Sequence, residues 1–351
     1  MEVFRSPSNP LIEPKDVKPS REGFEVFGVF NAGVAKVGQE VVLLLRVAER
    51  PVSDDPDVVA VAWYDADTGE VVTKEFSKSD HQVDFSDPRL VITPKQTYLT
   101  SLSHLRVARS EDGENFEVED APVLFPANSY EIFGIEDPRI SCIDGLYYVD
   151  YVAVGMCGVT TCLASTKDFV SFERAGVIFC PENKDVVIFP EKIGGKYYSL
   201  HRPVSPLFNT HDVWLAESPD LISWGNHRVL MSPRPGRWDA IKIGAGAVPV
   251  RTEAGWLEIY HGVDENNRYC LGAVLLDADR PDRILGVSEQ PLVEPEADYE
   301  RRGVFGNVVF SCGLLCGRET LRIYYGAADT SVAMAEVRVE DVLDSLQMCG
   351  Q

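Results

Sequence analysis

Two adjacent acidic residues, Glu136 and Asp137, stand before Pro138 and Arg139 in an otherwise apolar part of the chain. Proline fixes its own φ and disfavours a helical conformation at the preceding residue, so this stretch is predicted to be a stiff turn that presents Asp137 in one direction. A carboxyl group held in this way suits proton transfer, and Arg139 could pair with a carboxylate. The alternative is an ordinary Asp-Pro turn whose side chain caps its own backbone.

The elements around this stretch are predicted to be strands. Short runs of β-branched and aromatic residues alternate with Gly, Pro, Asn and Asp, and helical periodicity is confined to about residues 339–348. A unit of two strands, an Asp-containing turn and an aromatic residue recurs about five times at roughly 50–60 residues, which is typical of β-propeller blades. We therefore expect an all-β fold in which residues 1–351 form a single propeller domain with a short C-terminal helix.

The repeated Asp and aromatic positions have a structural explanation. Asp168 and Asp220 would close hairpins, while Phe172 and Trp224 would pack between neighbouring blades. Function is expected at the ends of the first strands of each repeat, because these ends converge on one central pocket in a propeller. The candidates at these positions include Asn31, Arg46, Arg50, His104, Asp137, Arg139, Lys184, Arg202, Lys242, Tyr260, His261 and Asp329.

This set is rich in cations, although the chain has a formal net charge of −22. Arg and Lys side chains gathered in a cleft are what an oxyanion such as phosphate requires. His261 could equally be a hydrogen-bonded core histidine, and Arg202 a solvated strand end. Lys242 is harder to explain without a ligand, because an unpaired lysine in an apolar, Gly-rich run would be costly.

The strongly acidic composition argues against nucleic acid or an anionic membrane as the main partner. No run of about 18 apolar residues occurs, and residues 1–7 do not have the pattern of a signal peptide, so a cytoplasmic protein without membrane contact is expected. The eight cysteines include no Cys-x-x-Cys pair, so neither a metal site nor a cofactor is expected. The C-terminal helix could support a homo-oligomer contact.

The residue types at these positions favour phosphorolysis over hydrolysis. Inverting hydrolysis of a glycosidic bond uses one carboxylic acid to protonate the leaving oxygen and one carboxylate to activate water. Phosphate arrives already nucleophilic, so phosphorolysis needs one acid and a group of cations. Asp137 beside the cationic set fits this second requirement.

The chain resembles glycoside hydrolase family 130, the β-mannoside phosphorylases and related mannosidases, over about residues 7–335. The motifs that carry the resemblance are GVFN at 28–31, LLLR at 43–46, EDPR at 136–139, HRP at 201–203, KIGAG at 242–246, GWLEIYHGV at 255–263, GNVVF at 306–310 and IYYGAADT at 323–330. The resemblance implies a five-bladed β-propeller that joins inorganic phosphate to a mannosyl group.

The resemblance also implies a role for each matching residue. Asp137 would be the general acid, acting through a hydroxyl of the bound mannose, and phosphate would attack the anomeric carbon from the opposite face to give α-D-mannose 1-phosphate. Lys184, Arg202, Lys242, Tyr260 and His261 match the phosphate-binding positions, and Lys184 stands where some relatives carry Arg. Asn31, Arg46 and Asp329 match mannose-binding positions. Arg50, His104 and Arg139 are further substrate-binding candidates.

The N-terminal motifs are most similar to those of β-1,2-mannobiose and β-1,2-oligomannan phosphorylases, so a β-mannoside and inorganic phosphate are the expected partners. Three alternatives remain open. The first is an inverting β-mannosidase, the second a phosphorylase of β-1,4-mannosyl-glucose or mannosyl-N-acetylglucosamine, and the third a propeller that binds sugar without catalysis. A protein-interaction propeller is disfavoured by the polar, basic character of the converging residues.

Overall fold

The computed structural model describes residues 2–205 and 207–349, most of which lie in β-strands. Five antiparallel sheets surround a central axis, which confirms the expected five-bladed all-β propeller. Blade 1 contains β2 (Phe24–Val37), β3 (Glu40–Pro51), β8 (Leu102–Ser110) and β9 (Glu117–Val118). Blade 2 contains β10 (Ile135–Ile143), β11 (Leu146–Gly155), β12 (Gly158–Thr166) and β13 (Glu173–Phe179).

The remaining blades follow in chain order. Blade 3 contains β14 (Asn183–Ile188), β15 (Tyr197–Pro203), β16 (Val213–Ser218) and β17 (Gly225–Met231). Blade 4 contains β18 (Lys242–Ala245), β19 (Val250–Thr252), β20 (Gly255–Val263), β21 (Tyr269–Leu276), β22 (Ile284–Ser288) and β26 (Leu346–Met348). Blade 5 contains β23 (Val309–Cys316), β24 (Thr320–Ala327), β25 (Ser331–Arg338) and the N-terminal β1 (Phe4–Arg5).

The core is divided among the five interfaces between blades. At each interface, apolar residues from two neighbouring sheets form one buried cluster, as where Leu44 and Leu105 of blade 1 meet Val149 of blade 2. The same arrangement joins blades 2 and 3, 3 and 4, 4 and 5, and 5 and 1. Both faces of each sheet are therefore buried, which explains the nearly continuous apolar runs in the strands.

The repeated Asp-containing turns have the structural role expected from the sequence. In three blades an aspartate after the third strand accepts hydrogen bonds from two backbone N–H groups of its own turn; these are Asp112, Asp168 and Asp220. The aromatic residue that follows packs on a neighbouring element, as where Trp224 stacks on Phe179 of blade 2 with ring centroids 5.5 Å apart. These residues stabilise the blades and lie away from the axis.

An insertion between β3 and β8 adds two small hairpins to blade 1. They are formed by β4 (Val58–Asp65) with β5 (Glu70–Ser77), and by β6 (Leu90–Ile92) with β7 (Thr97–Leu99). Val61, Phe76 and Val91 form a buried cluster of their own within the insertion. Because this cluster is separate from the five interface clusters, the insertion packs as a satellite unit beside the ring.

Helical structure is limited to short segments: a 3-10 turn at Pro14–Asp16, α1 at Asp298–Arg301 and α2 at Val339–Asp344. The expected helix over residues 339–348 is thus only partly correct, because its last residues form β26, which pairs with β22 of blade 4. None of the helices in the described ranges has the length and apolar character needed to cross a membrane.

The N-terminal strand β1 holds blade 5 through a buried ion pair. Arg5 Nε donates to Glu300 Oε1 over 2.9 Å, and the Arg5 guanidinium also contacts Glu296 and the Glu294 carbonyl. Glu300 is fully buried, and its carboxylate also accepts a bond from the Tyr325 hydroxyl at 2.7 Å. The arginine is therefore the counter-charge for a carboxylate that has no access to water.

Arg5→Ala should lower the free energy of unfolding by about 1–3 kcal/mol, because it leaves a buried charge with fewer hydrogen bonds. Urea denaturation followed by tryptophan fluorescence measures this change. Arg338→Ala is the matched control, since it removes an exposed ion pair to Glu340 and should cost at most about 1 kcal/mol. Equal losses in the two variants would contradict this role of Arg5.

Candidate active site

The inner strands of blades 1, 2 and 3 share a bulge that directs a side chain to the axis. The register of each strand with its neighbour shifts at Asn31, at Asp137 and at Asp185. All three residues have positive φ, at 49°, 48° and 52°, a conformation that Asn and Asp tolerate better than other non-glycine residues. The predicted turn at Asp137 is thus wrong in kind, because the residue lies in a bulge within β10.

These side chains border a cavity of about 330 Å³ at one end of the axis. Of the predicted residues, eight line it: Asn31, Arg46, Asp137, Lys184, Arg202, Lys242, His261 and Asp329. They come from all five blades, so residues up to 298 positions apart in sequence, from Asn31 to Asp329, meet in one place. The size lies at the lower end of the range for small-molecule pockets, about 300–1,000 Å³.

One side of the pocket carries carboxyl groups around Arg46. The Arg46 guanidinium donates to Asp137 Oδ1 over 3.0 Å and to Glu136 Oε1 over 2.8 Å, and it lies over the ring of Phe30. Asn31 Nδ2 donates to the same Asp137 oxygen over 2.9 Å. Burial tends to raise the pKa of Asp137, but Arg46, Arg139 and Asn31 outweigh it and leave that pKa below its usual value.

Asp329 is the fifth polar residue on this side. It follows β24, has a positive φ of 49°, and donates or accepts no side-chain hydrogen bond among the described residues. Burial raises the pKa of its carboxyl group to about 6, and the neighbouring charge of Asp137 acts in the same direction although Arg46 opposes both. The pocket therefore keeps an unpartnered carboxyl group next to a paired one.

Another part of the pocket wall carries cations. Lys184 and Lys242 form no ion pair with any described carboxylate, and Lys242 Nζ donates to the Tyr269 hydroxyl over 3.1 Å. Arg202 donates from Nε to Asp185 Oδ2 over 2.7 Å. Burial and the charge of Arg202 lower the pKa of Lys242. Two lysines without counter-ions, next to an arginine, make this side a site for an anion.

His261 lies beneath these cations and is fully buried. Burial lowers the pKa of its imidazole to about 4, even though the neighbouring Asp185 carboxylate acts in the opposite direction. The ring is therefore neutral near pH 7, and it contacts the rings of Phe310 and Tyr269. His261 borders the pocket as a neutral hydrogen-bonding group.

Four predicted residues lie outside the pocket. The Tyr260 hydroxyl donates to Asp239 between blades, and Arg50 is an exposed residue paired with Glu25. His104 is buried against Glu49, with Nε2 3.1 Å from its carboxylate. Arg139 is buried below the pocket and donates to backbone carbonyls, including that of Asp137 over 3.1 Å. Tyr260 points away because it is adjacent in β20 to His261, and neighbouring strand residues face opposite sides.

Several pocket residues were not predicted from the sequence. Glu136 and Asp185 flank predicted residues, and their position beside Asp137 and Lys184 was the available signal. The remaining wall is formed by Arg89, Leu90, Leu99 and Ser101 of the insertion and by Tyr269, Phe305 and Phe310. No local sequence pattern identifies these residues as part of a pocket, because the insertion and the loop before blade 5 meet only in the folded ring.

Fold and pocket together define a five-bladed propeller in which carboxyl groups and cations from different blades line one pocket. The chain belongs to glycoside hydrolase family 130, because the family model described as beta-1,4-mannooligosaccharide phosphorylase matches residues 69–348. This confirms the family expected from the sequence motifs.

Individual relatives extend over nearly the whole chain. A beta-1,2-mannobiose phosphorylase of Listeria innocua is 49% identical over 99% of both chains. A solved structure of the Listeria innocua enzyme with beta-1,2-mannobiose superposes with a TM-score of 0.95 and covers 99% of each chain. A 1,2-beta-oligomannan phosphorylase of Thermoanaerobacter sp. is 41% identical over 72% of this chain and 84% of its own.

Asp329→Asn should stabilise the protein at neutral pH. A carboxyl group whose pKa is raised from about 3.9 in the unfolded chain to about 6 in the folded one destabilises the fold once both states are ionised. The variant should gain about 3 kcal/mol at pH 7.5, and most of the gain should disappear as pH falls towards 4. Chemical denaturation at several pH values measures this.

The exposed Asp279 provides the control, since Asp279→Asn removes a carboxylate that has access to water. Its unfolding free energy should differ little from that of the unmodified protein at any pH. A gain in Asp329→Asn that does not depend on pH would contradict the proposed origin of the effect.

Proposed function

We propose that this protein is an inverting β-1,2-mannoside phosphorylase that cleaves β-1,2-mannobiose or β-1,2-oligomannan with inorganic phosphate. The products are α-D-mannose 1-phosphate and the shortened sugar, and the reaction is reversible. The observation that carries this proposal is that Lys184 and Lys242, which form no ion pair with a described carboxylate, line the same pocket as Asp137. The named phosphorylases among the relatives support the same enzyme class.

Each side of the pocket takes one substrate in this proposal. Lys184, Arg202 and Lys242 bind phosphate, with His261 as a neutral hydrogen-bonding partner. Asn31, Arg46 and Asp329 bind the hydroxyl groups of the mannosyl residue that is transferred. Asp137 then lies on the far side of that sugar from the phosphate, as inversion at the anomeric carbon requires.

In the proposed reaction one bond forms, one bond breaks and one proton is transferred and replaced. A phosphate oxygen forms a bond to the anomeric carbon while the glycosidic bond breaks, and the leaving oxygen receives a proton from Asp137 through a hydroxyl of the mannose. The proton of hydrogen phosphate replaces the one that Asp137 has given. Asp137 is ionised in the empty pocket, so it takes up a proton when substrates enter, because they exclude water and bring negative charge close to it.

The site supports phosphate rather than water as the nucleophile. A water-using enzyme needs a carboxylate base in addition to Asp137, and Asp185 is a carboxylate that lines the pocket beside Lys184. Its Oδ2 atom accepts a hydrogen bond from Arg202, and Arg139 and His261 also lie within 3.5 Å of the carboxylate. These charges hold its pKa well below the usual value although burial opposes them, so it is a poor base. No cofactor is required, since phosphate is a co-substrate.

The first test is phosphate dependence. The protein is incubated with β-1,2-mannobiose, and separately with β-1,4-mannobiose, in the presence and absence of inorganic phosphate. We expect mannose 1-phosphate from the β-1,2-linked sugar only when phosphate is present. Free mannose formed at the same rate without phosphate would mean a hydrolase. Preferential cleavage of the β-1,4-linked sugar would move the substrate assignment to that linkage.

The second test concerns Asp137. Asp137→Asn preserves the shape of the side chain but removes the proton donor, and general acids contribute roughly 10²–10⁴-fold to such reactions. We expect kcat for phosphorolysis to fall by about that factor, measured by release of mannose 1-phosphate. Asp168→Asn is the control, because Asp168 closes a turn far from the pocket and its loss should leave kcat unchanged. Full activity in Asp137→Asn would exclude it as the acid.

A further inference from the structure

Asp185 occupies a special place among the residues of the pocket. It lies in the bulge of β14, its side chain is 1% exposed, and three cationic or basic groups from three blades surround it. Arg202 of blade 3 donates from Nε to Oδ2 over 2.7 Å, and its Nη2 atom lies 2.5 Å from the same oxygen. Arg139 of blade 2 lies 3.5 Å from Oδ1, and His261 Nε2 of blade 4 lies 3.4 Å from Oδ2.

The contact between blades 3 and 4 at this point depends on a glycine. A Cβ atom at Gly244 in β18 would lie 2.4 Å from Asp185 Oδ2 and 2.4 Å from the His261 ring. Such distances are far below van der Waals contact, so the carboxylate and the imidazole approach each other only because residue 244 has no side chain. Gly244 does not have positive φ, and its backbone would therefore accept an alanine.

The charges around Asp185 divide into two groups. Asp185 forms ion pairs with Arg202 and Arg139, and the pair with Arg202 fixes the direction of the Arg202 guanidinium. Lys184 and Lys242 form no ion pair with a described carboxylate and keep their charge for a ligand. The carboxylate thus orients Arg202 through direct contact, while its charge acts on Lys184 and Lys242 without forming an ion pair with either.

We propose that Asp185 is a positioning residue for phosphate and that it holds Arg202 in the geometry that receives the anion. This inference rests on the proposed phosphorylase function. Asp185 does not itself contact phosphate, since two anions would repel each other, and it acts through the groups that it orients. An arginine without such a partner samples many rotamers, and its guanidinium group then contributes less to a bidentate contact with the anion.

The test separates binding of phosphate from binding of sugar. Asp185→Asn keeps the size of the side chain but weakens its hold on Arg202 and Arg139. The KM for phosphate should rise about 10- to 100-fold, as expected when a group that orients a binding residue is lost. The KM for β-1,2-mannobiose should change by less than about threefold, because the carboxyl side of the pocket has its own contacts. Isothermal titration with inorganic phosphate provides a readout that is independent of turnover.

Gly244→Ala provides a second variant that removes no functional group. Its methyl group would push Asp185 and His261 apart and should raise the KM for phosphate in the same way. Gly272→Ala is the matched control in the same blade, since its Cβ would lie 2.4 Å from the Trp238 ring and far from Asp185. It should strain the core to a similar extent without a selective effect on phosphate.

Failure of the inference about Asp185 can be distinguished from failure of the proposed phosphorylase function. If the unmodified protein cleaves mannosides without phosphate, the phosphorylase proposal fails, and the inference about Asp185 fails with it. If the unmodified protein requires phosphate but Asp185→Asn and Gly244→Ala change both KM values equally, or leave phosphate affinity unchanged, only the inference about Asp185 is wrong. A selective loss of phosphate affinity in both variants, absent from Gly272→Ala, supports it.

Discussion

The pocket depends on a backbone constraint that is repeated in three inner strands. Side chains in a regular strand alternate between the two faces of a sheet, and in this ring both faces are packed against neighbouring blades. A bulge with positive φ breaks that alternation and turns one side chain towards the axis. Asn31, Asp137 and Asp185 occupy these bulges. The residue types that tolerate this conformation are also those whose side chains can bind sugars and cations, so conformational preference and chemistry coincide.

The pocket combines carboxyl groups with cations. Glu136 and Asp137 are paired with Arg46, and Asp185 with Arg202, while Lys184 and Lys242 form no ion pair with a described carboxylate. This combination suits two substrates, one neutral and rich in hydroxyl groups and one anionic. It also has a cost, because Asp329 has no hydrogen-bonding partner in the described part of the chain and burial lowers the pKa of Lys242. Such unsatisfied groups are typical of sites that complete their interactions only when a ligand is bound.

The ring and its attachments have different roles. Five interface clusters, one between each pair of blades, make the ring a rigid support for residues that come from every blade. The insertion in blade 1 has its own buried cluster around Val61 and Phe76, and it contributes Arg89 and Leu99 to the wall of the pocket. This division lets the ring hold the reacting groups in place while the insertion shapes the entrance.

The sequence was sufficient to predict the all-β character, the blade repeat, the family and most of the cations that line the pocket. Strand periodicity, turn residues and motifs are local properties, so they can be recognised without the fold. Lys184, Arg202 and Lys242 were found in this way. The direction of individual side chains did not follow from the sequence, because a shift of one residue along a strand moves a side chain to the other face of the sheet. Tyr260 was assigned to the pocket although only its neighbour His261 faces it, and Arg139 was placed there although it lies underneath. The contacts of Asp185 with three blades and the wall formed by Arg89 and Phe305 were decided by tertiary structure alone, since they arise where separate blades and an insertion meet.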